Sequence, residues 1–81
     1  MARFVFRDHH TYQRVHERDV TWEMVDYVLE HPDAVRPGRP IPGRPPTLVY
    51  IASLDNNRLR VYVERDSNDP LVVVTVGWEV R

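Results

Sequence analysis

No cysteine and no lysine occur among the 81 residues, glycine appears only three times, and no long hydrophobic run is present. Without cysteine there are neither disulfides nor thiolate metal sites. The few glycines form no phosphate-cradling loop or nucleotide fingerprint, and no serine-based nucleophile elbow exists. No apolar stretch approaches the roughly 20 residues of a membrane-spanning helix, so no membrane partner is expected. Met1-Ala2-Arg3-Phe4 does not open a signal-peptide core, which makes a cytoplasmic protein the expectation. The four histidines do not suit a metal: His10 and His16 fall on different faces of a helix, and His9 and His16 are two turns apart. No metal and no cofactor are expected.

What the chain does have is arginine. All 11 basic residues are Arg, against 12 acids. The charge is segregated along the sequence. Asp19 to Asp33 carries five acids and no base, whereas Ala34 to Pro46 carries Arg36, Arg39 and Arg44 with no acid. Residues 1–81 read as one small domain. A chain this short buries only about 60% of its unfolded surface, so it gains from a partner, a second copy of itself included.

Ala2 to Phe6 reads as a strand. Asp8 is placed to cap a helix running to about Arg18, with Tyr12 and Val15 as a thin apolar stripe. Thr21 caps a second helix, Trp22 to His31, whose inner face is Met24, Val25, Val28 and Leu29, with Glu23, Asp26 and Glu30 facing water. Pro32 ends it. Arg36 to Pro46 (RPGRPIPGRPP) reads as an extended basic loop that either tracks phosphates or docks an acidic segment, or merely stiffens a connection. The remainder reads as strands Thr47–Leu54, Leu59–Arg65 and Leu71–Val80, with turns at Asp55-Asn56-Asn57 and Asp66 to Pro70. Alternation puts Leu59, Val61 and Val63 inward and Arg58, Arg60, Tyr62 and Glu64 outward. In the last strand it puts Val72, Val74, Val76 and Trp78 on one face and Leu71, Val73, Thr75 and Gly77 on the other. Trp22 and Trp78 read as core. The fold class is α+β, two N-terminal helices packed on a three- to four-stranded antiparallel sheet.

His10, Arg14 and Arg18 recur every fourth residue, which aligns them on one helix face. An imidazole that exchanges protons near neutral pH, beside permanent planar cations, has the parts of a phosphate-handling site. With Arg60, Tyr62 and Thr75 on the polar sheet face, the candidate catalytic set is His10, Arg14, Arg60, Tyr62 and Thr75. RNA cleavage without metal needs a base for the 2′-hydroxyl, an acid for the leaving 5′ oxygen, and cations on the phosphorus. His10 could be base or acid, Arg14 and Arg60 the cations, and Tyr62 a stacking platform. Arg18, Arg36, Arg39, Arg44 and Arg58 are the candidate RNA-binding residues. The bland alternative is a solvated helix face beside a solvated sheet face.

The stretch from His10 to Pro32 (HTYQRVHERDVTWEMVDYVLEHP) resembles a family of small bacterial proteins of unassigned function, whose pattern is H-x-x-x-R-M-x-x-R-G-I-[ST] followed by a helix ending in Asn-Pro. LRVYVE (Leu59 to Glu64) and VVVTVGW (Val72 to Trp78) are similar to that family's closing strands. Here Val15 replaces Met, Asp19 replaces the common Gly, and His31-Pro32 replaces Asn-Pro. Such proteins look like RelE-like and BrnT-like toxins of toxin–antitoxin pairs. The resemblance implies a metal-independent endoribonuclease acting on mRNA, with RNA as substrate and a cognate antitoxin protein as partner. It maps the family's helix His and Arg residues onto His10, Arg14 and Arg18, and its strand residues onto Arg60 and Thr75. The competing expectation is a non-catalytic protein- or RNA-binding module of the same fold, using the basic loop and an exposed sheet edge.

Overall fold

The first helix begins where a carboxylate can satisfy its orphan amides. In the computed structural model, which describes residues 2–79, Asp8 Oδ1 accepts from the Thr11 amide at 2.8 Å and from the Thr11 hydroxyl at 2.9 Å. This caps α1 (His9–Glu17) after a three-residue strand β1 (Phe4–Phe6). The Thr11 amide, then its hydroxyl, hold the Asp8 carboxyl below its ordinary pKa of 3.8. A group depressed in the folded state adds stability above its unfolded pKa and loses it as pH falls through the folded one. Asp8→Ala therefore lowers the melting temperature at neutral pH. In thermal melts across pH, its deficit shrinks as pH drops below about 3.8.

Asp19, between the helices, adopts φ 56, a left-handed conformation that Asp tolerates and glycine prefers. The Thr21 hydroxyl then accepts from the Met24 amide at 3.2 Å and starts α2 (Trp22–Glu30). Four further strands follow: β2 (Ala34–Pro37), β3 (Thr47–Leu54), β4 (Asn57–Glu64) and β5 (Leu71–Glu79). The β3–β4 turn is closed by Asp55 at φ 56. The expected end of the last strand at Val80 lies outside the described residues.

The sheet has five strands in the order β1-β5-β4-β3-β2, antiparallel except for β1, which runs parallel to β5. The α+β class and its two leading helices hold, but a purely antiparallel sheet of three or four strands does not. β1 and β5 lie at opposite ends of the chain, so no turn signal announces their pairing. β2 is masked in the sequence by the proline-rich run that begins at its end: Pro37 closes an edge strand, where a missing amide donor is tolerated. Arg36 and Pro37 thus belong to a strand, and the connecting loop spans only residues 38–46.

Both helices cover one face. Val15 and Val20 with Val25, Val28 and Leu29 pack on Ala52, Leu59, Val61, Val63, Val73 and Val76. The alternation expected for β5 breaks. Tyr62 pairs with Thr75, but Val63 pairs with Val73, so Val74 is an extra residue in a β-bulge. Val73 and Val76, three apart, are therefore both in the core. Trp78 packs against that core only partly buried. Trp22 departs further from the core expectation: it is 43% exposed, at the first turn of α2, stacked on Phe4 at 5.2 Å. Tyr12, expected in an apolar stripe, is 46% exposed and packs edge-on against Phe6 and His16. Asp26, expected in water, accepts from the Ala2 amide at 2.8 Å.

β1 stops at Phe6, opposite Val73, and α1 takes over the free edge of β5 beyond it. The Thr11 hydroxyl reaches the Val74 carbonyl at 3.5 Å. Arg18 Nη1 donates to the Val76 carbonyl and to the Thr75 hydroxyl, and the Trp78 indole donates to the Arg18 carbonyl at 2.8 Å. The helix closes an edge that would otherwise invite pairing. It also spans both faces of the sheet: Val15 faces the core, while His10 and Arg14 reach the opposite side.

Candidate functional site

The face away from the helices is ordered in cross-strand rows, because directly paired residues share a face. One row is Arg36, Val49, Tyr62 and Thr75; the next is Ala34, Ile51, Arg60 and Gly77. Thr47 and Glu64 form the row on the other side of Tyr62. Over that last row the chain leaves β2 at Gly38. A Cβ there would stand 2.0 Å from the Thr47 hydroxyl, so only glycine lets the loop cross so low. The Arg44 amide then donates to the Ile41 carbonyl at 3.1 Å, with Gly43 at φ 78. Pro42 and Gly43 are the central pair that such a turn demands.

Helix, sheet and loop enclose a cavity of about 400 Å³, within the range of about 300–1,000 Å³ usual for small-molecule sites. From the first helix and the corner before it come Arg7, His10, Thr11 and Arg14; from the loop, Arg39, Ile41, Arg44 and Pro45. The sheet contributes Thr47, Tyr62, Glu64, Val74 and Thr75. The β5 bulge places Val74 and Thr75 at this rim. Arg14 Nη2 lies 3.2 Å from His10 Nε2. A guanidinium only donates, so Nε2 is the acceptor in this contact. Four guanidiniums and an imidazole against one carboxylate suit an anionic ligand.

Of the residues singled out from the sequence, His10, Arg14, Tyr62 and Thr75, with Arg39 and Arg44, meet at this cavity. Arg60 does not line it. It sits one row away, with Nη2 2.8 Å and Nε 3.2 Å from Glu79 Oε2. That carboxylate first, then the Tyr62 phenol, raise its pKa above the ordinary value. Arg58 lies one row further, its Nε buried without a hydrogen-bond partner. Arg36 pairs with Val49 on the outer strand, and Arg18 is spent on latching α1 to β5. Arg7, Thr11, Thr47 and Glu64 were not singled out, although Glu64 shares its outward alternation with Tyr62. Among the described residues, no three His, Asp or Glu converge to hold a metal ion.

Residues 8–78 match a domain family described as Domain of unknown function (DUF4258). The chain belongs to this family. The DUF4258 match spans every element except β1 and the last residue of β5, and includes all the cavity residues but Arg7. No curated protein and no solved structure matches the chain. No helix among the described residues is long and apolar enough to cross a membrane.

The two loop arginines give a direct test of phosphate contact. Each phosphate neutralised on single-stranded RNA adds about 0.7 to the slope of log affinity against log salt. Replacing Arg39 and Arg44 with glutamine should weaken RNA binding and flatten that slope by about 1.4 if each holds one phosphate. Replacing Arg36 should change it little. Titrations at several salt concentrations measure both.

Proposed function

We propose that this protein binds RNA and cleaves its phosphodiester backbone without a metal, as the toxin of a toxin–antitoxin pair. One observation carries the proposal: His10 and Arg14 from a helix, Tyr62 and Thr75 from the sheet, and Arg39 and Arg44 from a loop line one cavity. A phosphodiester there meets planar cations able to bind two oxygens each, a ring for base stacking, and an imidazole for proton transfer. The toxin reading draws further support from the resemblance of the His10–Pro32 and closing-strand segments to RelE-like and BrnT-like proteins. The partner it implies is an antitoxin that holds the nuclease inactive.

The test is incubation of the purified protein with RNA in the presence of a chelator, with and without ribosomes. The expected products carry 2′,3′-cyclic phosphate and 5′-hydroxyl ends, and a 2′-deoxy substrate resists cleavage. Expression should arrest growth of a bacterial host. RNA bound but left intact, together with harmless expression, would make the protein a binding module instead.

A further inference from the structure

The cavity holds a single carboxylate among its cations, and the fold does not use it. Glu64 ends β4, opposite Thr47 and two residues beyond Tyr62. Its backbone is pinned: the Ser67 amide and hydroxyl donate to its carbonyl at 3.0 and 2.6 Å, and the Val72 amide donates to the Ser67 hydroxyl at 2.9 Å. The side chain is not. Asp8 pairs with Arg7 and Glu79 with Arg60, yet the Glu64 carboxylate makes no ion pair among the described residues. Arg7, Arg14, Arg39 and Arg44 nonetheless line the same cavity. A negative charge there opposes binding of a phosphate. A group that weakens ligand binding and takes no part in folding is accounted for if it takes part in chemistry.

We infer that Glu64 is the general base of this site, with His10 as the general acid. This rests on the RNA-cleaving reading above. Cleavage by the neighbouring 2′-hydroxyl requires two proton movements, and one imidazole makes both only by shuttling between two oxygens. With two groups the balance is direct. The 2′-hydroxyl proton passes to the Glu64 carboxylate as the bond from the 2′ oxygen to phosphorus forms. The bond from phosphorus to the 5′ oxygen breaks, and that oxygen takes a proton from the His10 imidazolium. A 2′,3′-cyclic phosphate and a 5′-hydroxyl result. Water then returns both groups to their starting states by proton exchange. Arg14 couples the halves. Its Nη2 lies 3.2 Å from His10 Nε2, and the same guanidinium lines the cavity that holds Glu64, so one cation reaches both the acid and the phosphate between them.

The experiment is single-turnover cleavage of an RNA oligonucleotide across about pH 5–9, with Glu64→Gln and Glu64→Asp beside the parent. Binding is measured separately with a 2′-deoxy oligonucleotide that cannot react. The charged and titratable groups around Glu64 are Arg7, His10 and Arg14, Arg39 and Arg44, and Tyr62. Glu64→Gln should cut the rate about 10²–10⁴-fold, bind the unreactive oligonucleotide at least as tightly, and lose the acid-side limb of the profile. Glu64→Asp should recover part of the rate with that limb restored. An unchanged rate and profile in Glu64→Gln, or an altered nucleotide preference at an unchanged rate, overturns the assignment and leaves the ribonuclease reading standing. A parent protein that cleaves nothing overturns both.

Discussion

His10→Ala should lower single-turnover RNA cleavage by about 10²–10⁴-fold, the contribution of one positioned proton-transfer group. The side chain is exposed on the first turn of α1, and the cap on Asp8 does not involve it. Alanine is a better helix former than histidine, so the variant should melt no lower than the parent. RNA affinity should fall far less than the rate, because Arg14, Arg39 and Arg44 remain. Arg14→Ala should do the reverse in part, weakening binding as well as slowing cleavage, since it removes a cation. In cells, expression of the parent should arrest growth and the double variant should not. A cleavage rate unchanged in His10→Ala would remove the imidazole from the chemistry.

Leu59→Ala should destabilise the fold by about 2–5 kcal/mol, the usual range for emptying a leucine-sized space in a core. Leu59 has no exposed surface and sits mid-strand between Ala52 and Trp78, under the helices. Ala52 is too small to fill the gap from its side. At about 0.05–0.15 kcal/mol per residue, a domain of this length has on the order of 4–12 kcal/mol in total. A loss of that size is a large fraction of the total and should lower the unfolding midpoint clearly. Urea titration followed by circular dichroism measures the shift in midpoint. A loss well under 1 kcal/mol would mean that the helices do not seal this face. RNA cleavage lost in Leu59→Ala reports unfolding, whereas cleavage lost in His10→Ala does not, and melting curves separate the two.

Asp19 shows how an aspartate meets a backbone demand that glycine meets more easily. The position where the resembled pattern commonly has glycine adopts φ 56 in this chain. Aspartate reaches that region at modest cost, so the left-handed turn between the helices forms without glycine.

Local chemistry made much of this protein legible in its residues. The caps at Asp8 and Thr21 needed only a short polar side chain ahead of free amides, and both helices start there. The inward alternation of Leu59, Val61 and Val63 needed only the two-residue period of a strand. The same period set Tyr62 and Glu64 outward together, and the four-residue period of α1 set His10 beside Arg14. Only the assembled structure decided the rest. The bulge at Val74 reversed the faces of β5, β1 joined a strand from the far end of the chain, and the 38–46 loop folded back over Thr47. These outcomes depend on contacts between segments distant in sequence, which no local period encodes. They determined which arginines reach the cavity: Arg39 and Arg44 do, while Arg18, Arg36, Arg58 and Arg60 are held elsewhere on the molecule. Their chemistry is identical in the sequence. Their positions differ because strand register and a glycine crossing, not residue type, aim each side chain.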